Sequence, residues 1–392
     1  MTLNTLIEVG ETTIRCALVE DGEAVELHII DKSDDRAGAI YLARVKKVEA
    51  KLNAAFLDLG GGEAFLPFRH ARALKDPGQK NISMLVAEGQ TLLVKLIAPE
   101  AQEDGKLPLG TANPMIAGRY ALSGHLPGKA MLSQKIADPE KRAALTALLD
   151  QVGDGNSLVI RTNAEAVPPA RVADEVKTLQ ALWKALEGSG GKVGMVLSAL
   201  DGVERALRDY APHEVEEVLI NDQVTYLKAA RLADEKWPDL KGKIRHYQEP
   251  APLFEAFGVG MRIDAALSGV IPLPSGGNLK IEETSAMTVI DVNSGAGRTG
   301  TTSEGVYLAT NLEAAEAVAR ELRFQNISGL IVVDFIDMRS KADQEKVLAA
   351  LDQGLARDPL PVERTGLNRF GLLSLRRKRR GSPLKAILRK KP

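Results

Sequence analysis

The chain has one cysteine, Cys16, and that scarcity excludes an intramolecular disulfide and any cysteine-rich zinc site. The neighbours of Cys16, TIRCALVE, read as a buried strand in which a thiol serves as a small core residue. No apolar run reaches membrane-spanning length, and the first thirty residues carry neither a basic leader nor a long apolar segment. Those absences point to a cytoplasmic protein with no membrane partner. Net charge is scarce too: 51 Lys and Arg stand against 52 Asp and Glu, so bulk charge favours no class of partner. All five histidines (His28, His70, His125, His213 and His246) precede residue 247. A site confined to the last third of the chain would have no imidazole or thiolate to act as base or nucleophile.

What is present is ordinary in bulk and informative in pattern. With 392 residues, 44% apolar and 26% charged, the chain can form several globular domains with substantial cores. Residues 5–30 alternate in the manner of strands. From about 36, glycine-punctuated segments such as AIYLARVKKVEA, AAFLDLGGGEAFLPF and QTLLVKLIAPE suggest a small barrel of the OB type. A helix is expected near 139–151, a strand at 157–162 and an amphipathic helix near 170–187, started by Pro168-Pro169. Residues 207–270 read as mixed α/β. From 271 onward strands alternate with helices, the pattern of a βαβ unit with parallel strands. The segment 376–392 holds nine Lys or Arg and no acid. It reads either as an edge for a polyanion or as a solvated terminus.

Two apolar runs in the last third stop on an acid: MTVIDVNSG at Asp291 and GLIVVDFIDM at Asp334. Consecutive parallel strands joined by a right-handed crossover end at the same sheet edge, which is where ligands bind in open α/β sheets. Asp291, Asp334 and Asn293 would gather there as hard oxygen ligands for Mg²⁺ or Mn²⁺. The alternative is that each Asp caps the following turn or helix. If the metal reading holds, with no imidazole at hand, an activated water becomes the nucleophile and phosphodiester hydrolysis the expected chemistry. A P-loop reading fails, because GAGRTG lacks the Gly-Lys-Ser/Thr ending that holds phosphate and metal.

The segments TVIDVNSG, TNLEAAEAVARELR, SGLIVVDFIDM and NRFGLLSLRRKR resemble the catalytic core of the ribonuclease E/G family. NAAFLDLG, AFLPF, LVIRTNA and LPSGG resemble its upstream segments, in the same order. The resemblance implies a Mg²⁺-dependent endoribonuclease (Mn²⁺ also possible) acting on single-stranded RNA and favouring 5′-monophosphorylated ends, in RNA processing or decay. A non-catalytic RNA-binding descendant is the alternative.

Carried over by position, Asp291 and Asp334 match the metal-binding aspartates and Asn293 the amide beside them. Arg369, Arg377 and Arg379 match basic positions near RNA phosphates. Phe56 and Phe65 match base-stacking aromatics and Lys106 a basic contact. Arg161 and Thr162 match a 5′-phosphate pocket. Asp337 is assigned a structural role. Two departures stand out: Ser374 replaces an acid, and Asn163-Ala164 follows the Arg-Thr pair in place of Ala-Gly.

The implied architecture is α/β and multidomain. A ribonuclease-H-like domain (1–34 with 207–270) would carry an inserted OB-fold RNA-binding domain (35–112) and a 5′-sensor region (113–206), followed by a deoxyribonuclease-I-like catalytic domain (271–392). Longer members continue with a Cys-Pro-x-Cys zinc link and an oligomerising domain. A single thiol cannot rebuild a four-thiolate site in a dimer. The expectation is therefore no structural zinc, a monomer or weak homodimer, and no degradosome scaffold tail.

Overall fold

The computed structural model describes residues 2–32, 36–74, 78–97, 107–124, 130–152, 157–295, 303–379 and 383–388. Their contacts divide the chain into two compact units. One comprises Met1–Glu8, Arg15–Ile29 and Tyr247–Pro392; the other comprises Val9–Ile14 and Ile30–His246.

The second unit holds a barrel-like antiparallel sheet. Its strands lie in the order Glu63–Pro67, Ala54–Asp58, Ile40–Glu49, Thr91–Leu96 and Gly110–Thr111, with Gly194–Leu197 also paired to the long Ile40–Glu49 strand. That strand can serve several neighbours because its register slips between Val45 and Lys47, a bulge that bends it around the core. The ring nearly closes where Phe65 bridges to Leu109 and its N–H donates to the Pro108 carbonyl at 2.9 Å. Alternation decides the interior: Ala55, Leu57, Ala64 and Leu66 are buried in the barrel core.

A four-stranded sheet follows, in the order Met131–Leu132, Ser157–Ile160, Ala121–Gly124 and Met115–Ala117, accompanied by helices Pro139–Val152 and Pro169–Glu187. The expected helices thus form close to their sequence positions, whereas the strand expected at 157–162 ends at Ile160 and Thr162–Ala166 turns into a short 3-10 helix. The N–H groups of Arg119, Tyr120 and Ala121 all donate to the Glu175 carboxylate at 2.7–3.0 Å. A side chain at Gly118 would collide with that carboxylate. Arg119 is fully buried against Asp239, whose other oxygen lone pairs accept from the Tyr120 hydroxyl. A buried charge of this kind is tolerated only when paired and hydrogen-bonded. Further along this unit, Glu217–Ile220 and Ile244–His246 pair in parallel.

The first unit is built on a six-stranded mixed sheet, in the order Val270–Pro272, Asn278–Glu283, Thr288–Asn293, Gly329–Asp334, Leu372–Arg377 and Val362–Leu367. The expected parallel pair is there, joined through the helix Ser303–Phe324. The other four pairings are antiparallel. Ile290, Val292, Ile331, Val333, Leu373 and Leu375 share the core with Ala314, Val318 and Leu322 of that helix and Val347 and Leu351 of the helix Lys341–Leu355. The alternate residues face away from the helices. The first three strands, Leu3–Val9, Thr13–Glu20 and Glu23–Asp31, follow one another in one sheet, and Cys16 is buried among them. Arg323, itself nearly buried, ties the long helix to this hairpin through Glu20 at 2.8 Å and Glu26 at 2.9 Å. Among the described residues no helix is long and apolar enough to cross a membrane.

Candidate active site

The two aspartates face each other in register. On adjacent parallel strands Asp291 pairs with Asp334, so their side chains leave the same face of the sheet. Both are on the face turned away from the helices, since Ile290, Val292, Ile331 and Val333 take the buried positions between them. The same row continues to Lys280 on one side and Leu372 on the other. Asp334 is exposed, Asp291 half-buried. The Asp334 carboxyl lies above the ordinary carboxylate range because its neighbours cost the charged form part of its hydration, and because Asp291 and Asp337 add like charge. Asp337, three residues on, is therefore close enough to be felt.

Asn293 lies two residues past Asp291 on the same strand face, and its amide donates to Asp291 Oδ2 at 3.0 Å. The turn beyond it requires glycine. A side chain at Gly295 would meet the Gly276 carbonyl, and one at Gly277 would meet the Asn293 carbonyl, so the LPSGG and DVNSG segments press backbone against backbone. The remainder of the glycine-rich run, 296–300, lies outside the described residues. On the Asp334 side a residue that sequence reasoning passed over does the positioning. Asn311 is fully buried in the long helix, donates from Nδ2 to the Ile336 carbonyl at 2.8 Å, and accepts at Oδ1 from the Ile336 N–H at 3.0 Å. It thereby fixes the chain between Asp334 and Asp337. Its helical spacing from Ala314, Ala315, Val318 and Leu322 already marks it as inward-facing.

The three arginines of the last segment part company. Arg369 is exposed in the turn before Leu372, at the Asp334 end of the sheet. Arg377 pairs across from Gly329, at the opposite end of the same strand. Five residues of strand separate those ends, roughly 17 Å. Arg377 is buried, paired with Asp358 at 2.7 Å and donating to Asn326, Ser328 and the Ile327 carbonyl. Its guanidinium faces protein. Parity with Leu373 and Leu375 carries this signal in the sequence. Arg379 is exposed near Gly329. Ser374 pairs with Val332, and its N–H donates to the Thr365 hydroxyl at 3.2 Å.

In the barrel, Phe56 and Phe65 pair directly across two strands, half-buried on its outer side, with ring centroids 5.6 Å apart and edge to face. Lys106 lies outside the described residues. Arg161 follows the Ser157–Ile160 strand and donates to the Gly118 carbonyl at 2.6 Å and to Asp209 at 3.2 Å. Burial lowers its guanidinium below the ordinary range, against the pull of Asp209. Thr162 shares a hydroxyl hydrogen bond with Ser133 at 2.9 Å. Arg208 also clasps Asp209 at 2.6 Å. Lys95, donating to the Met115 carbonyl at 2.8 Å, is brought down to about 8 by burial and then by Arg208. Lys95, Arg161 and Arg208, all partly buried, thus crowd around the carboxylate of Asp209. Neither Lys95 nor Arg208 was marked by any sequence motif.

Among the described residues no group of three or more His, Cys, Asp or Glu is placed to enclose a metal ion. Two facing carboxylates with an adjacent amide do suit a hard divalent cation that keeps most of its waters and completes its shell with phosphate oxygens. The like-charge strain on Asp334 is the strain such a cation would relieve.

One unit with a mixed α/β sheet and an acid pair at one strand edge, and a second with a barrel bearing outward aromatics, define the class: a mixed α/β protein of more than one compact unit. Comparison narrows it. The model of the Ribonuclease E/G family matches residues 115–380. Ribonuclease G of Escherichia coli is 30% identical over 410 aligned residues, covering 99% of this chain and 82% of that protein. Ribonuclease G of Haemophilus influenzae is 32% identical, covering 98% of this chain and 81% of that protein. Ribonuclease E of Nostoc is 33% identical over 93% of this chain but only 54% of its own length. The chain belongs to the ribonuclease E/G family.

Proposed function

We infer that the protein is an endoribonuclease of RNA processing or decay that hydrolyses phosphodiester bonds in single-stranded RNA with Mg²⁺ held by Asp291 and Asp334. The observation that carries this reading is the register: Asp291 faces Asp334 on adjacent parallel strands, on the sheet face that the helices leave uncovered. When bound there, Mg²⁺ would neutralise charge on the scissile phosphate and make a water more acidic. The protein's own groups do the rest. Asn293 keeps the Asp291 carboxylate aimed by its 3.0 Å hydrogen bond, and Asn311 holds the chain after Asp334. Arg369, exposed at the same edge, is available to an RNA phosphate.

The remaining surfaces support binding. Phe56 and Phe65 offer two rings to single-stranded bases, a contact worth ~1–3 kcal/mol per stacked base without reading sequence. Arg161 and Thr162, backed by Lys95 and Arg208, suit a 5′-terminal phosphate, whose charge would answer the cations around Asp209.

The test is cleavage of a short 5′-labelled single-stranded RNA in Mg²⁺ and in chelator, by the native protein and by Asp291→Asn. Cleavage confined to the native protein in Mg²⁺ is the expected result. Equal cleavage by Asp291→Asn, or in chelator, would overturn the assignment.

A further inference from the structure

Phe370 is the most exposed aromatic ring of the described first unit, 68% accessible, at the tip of the turn between Val362–Leu367 and Leu372–Arg377. The turn does not need it. Asn368 Oδ1 accepts from the N–H groups of Phe370 at 2.8 Å and Leu372 at 3.1 Å, and Gly371 closes the turn with a φ of +80°. The ring instead lies beside the Arg369 guanidinium, whose central carbon is 4.7 Å from the ring centroid. Two neighbours place the pair at the acidic edge. Leu372, two residues on, is the strand partner of Asp334, and a Cβ at Gly371 would stand 3.5 Å from Asp337 Oδ1.

We propose that Phe370 and Arg369 form a base-stacking subsite beside the acid pair, seating one nucleobase of single-stranded RNA and one of its phosphates, and so setting which phosphodiester is presented for cleavage. This rests on the endoribonuclease reading of Asp291 and Asp334. The surroundings select the ligand. A protein partner reading an exposed Phe would want a continuous apolar patch, whereas Asn368, Arg369 and Asp337 make this rim polar and charged. A nucleobase is flat, apolar on its faces and polar at its edges, and it brings a phosphate within reach of the guanidinium. Arg369 occupies one side of the ring and leaves the other side for a base. The contact would form on binding, so it acts on substrate affinity and on the position of the cut rather than on the chemical step.

The experiment uses the whole protein with a defined single-stranded RNA and a series in which one nucleotide at a time is abasic. Phe370→Ala should raise KM about 5- to 100-fold, the effect of losing one stacked base. Phe370→Trp should restore it. One abasic position near the cut should weaken the native enzyme by a similar factor and add nothing to the loss in Phe370→Ala. An unchanged KM, or a loss in Phe370→Ala that adds fully to every abasic substitution, would overturn the subsite. A second readout does not need cleavage. Trp183 and Trp237 are buried, at 2% and 4% exposure, so Phe370→Trp introduces the one exposed indole among the described residues. Quenching of that indole by intact RNA, and not by a fully abasic strand, supports stacking even if no metal-dependent cleavage is found. Absence of cleavage with quenching present would sink the catalytic reading alone; absence of quenching would sink the subsite, including the case where the ring serves a protein partner.

Discussion

Replacing Asp334 by Asn should make the metal-free protein more stable while abolishing cleavage. The reasoning starts from two carboxylates on facing positions of neighbouring strands. Neighbouring strands lie ~4.8 Å apart, so the charges sit about 5 Å apart. Because Asp334 is exposed, the medium between them is close to water, and Coulomb repulsion is ~0.8 kcal/mol at a dielectric near 80. Deleting one charge recovers about that much at low salt and less at high salt. The sign in pH follows from the raised Asp334 carboxyl. An acid that ionises less readily folded than unfolded costs stability as pH rises through its folded value. In chelator the native protein should therefore gain stability on mild acidification through this group, and Asp334→Asn should lack that gain. The assay is thermal unfolding at pH 7 in chelator and then in Mg²⁺. Asp334→Asn is expected to melt about 1 °C higher in chelator and to show little of the Mg²⁺-induced rise expected of the native protein. A lower melting point in chelator, or an undiminished Mg²⁺ shift, would refute the view that these acids are held together for a cation.

Arg161→Ala should slow cleavage of 5′-monophosphorylated RNA while 5′-hydroxyl RNA is cut about as before; equal losses on both would assign Arg161 to the fold, through Gly118 and Asp209. Arg377→Ala should cost ~3–5 kcal/mol in urea unfolding because it removes the cation that balances the buried Asp358 carboxylate, whereas Arg369→Ala should leave stability alone and weaken RNA binding at low salt. Glu26 is pushed up by burial, yet hydrogen bonding and attraction from His28 and Arg323 outweigh that and bring it down to about 2. Its contribution, about 3 kcal/mol, should be present above pH 4.5 and vanish as pH falls toward 2, and acid unfolding of Glu26→Gln should lack that component.

Period-two and helical patterns made much of this legible. The apolar runs that stop on Asp291 and Asp334 announced two strands with a crossover, and the strands pair in parallel with those residues opposite. The same alternation sends Ala55, Leu57, Ala64 and Leu66 inward and leaves Phe56 and Phe65 on the outer side of the barrel. It also sends Arg377 inward with Leu373 and Leu375, a consequence that matching basic positions to a family motif overlooks. What sequence could not carry is pairing between distant residues. Arg119 meets Asp239 from 120 positions away, and Arg323 meets Glu26 from 297. No local propensity or spacing encodes such pairs, because each partner alone reads as an ordinary surface charge.

The antiparallel strands explain how an uncovered acid pair can exist in a βαβ setting. Sheets made only of parallel strands are covered on both faces, because every crossover adds a helix. Asp291 and Asp334 inside such a sandwich would be stripped of water, at a cost that two unpaired carboxylates could not meet. Here the single parallel pair is flanked by antiparallel neighbours, Asn278–Glu283 on one side and Leu372–Arg377 on the other. Hairpins supply Asn278–Glu283 and join Val362–Leu367 to Leu372–Arg377. Lys341–Leu355, the helix on the way to that second hairpin, packs on the same face as Ser303–Phe324. Both long helices therefore pack on one face with Ile290 and Val333, and Lys280, Asp291, Asp334 and Leu372 stay in a row on the other. That row stays open to water, which is what lets two like charges stand side by side.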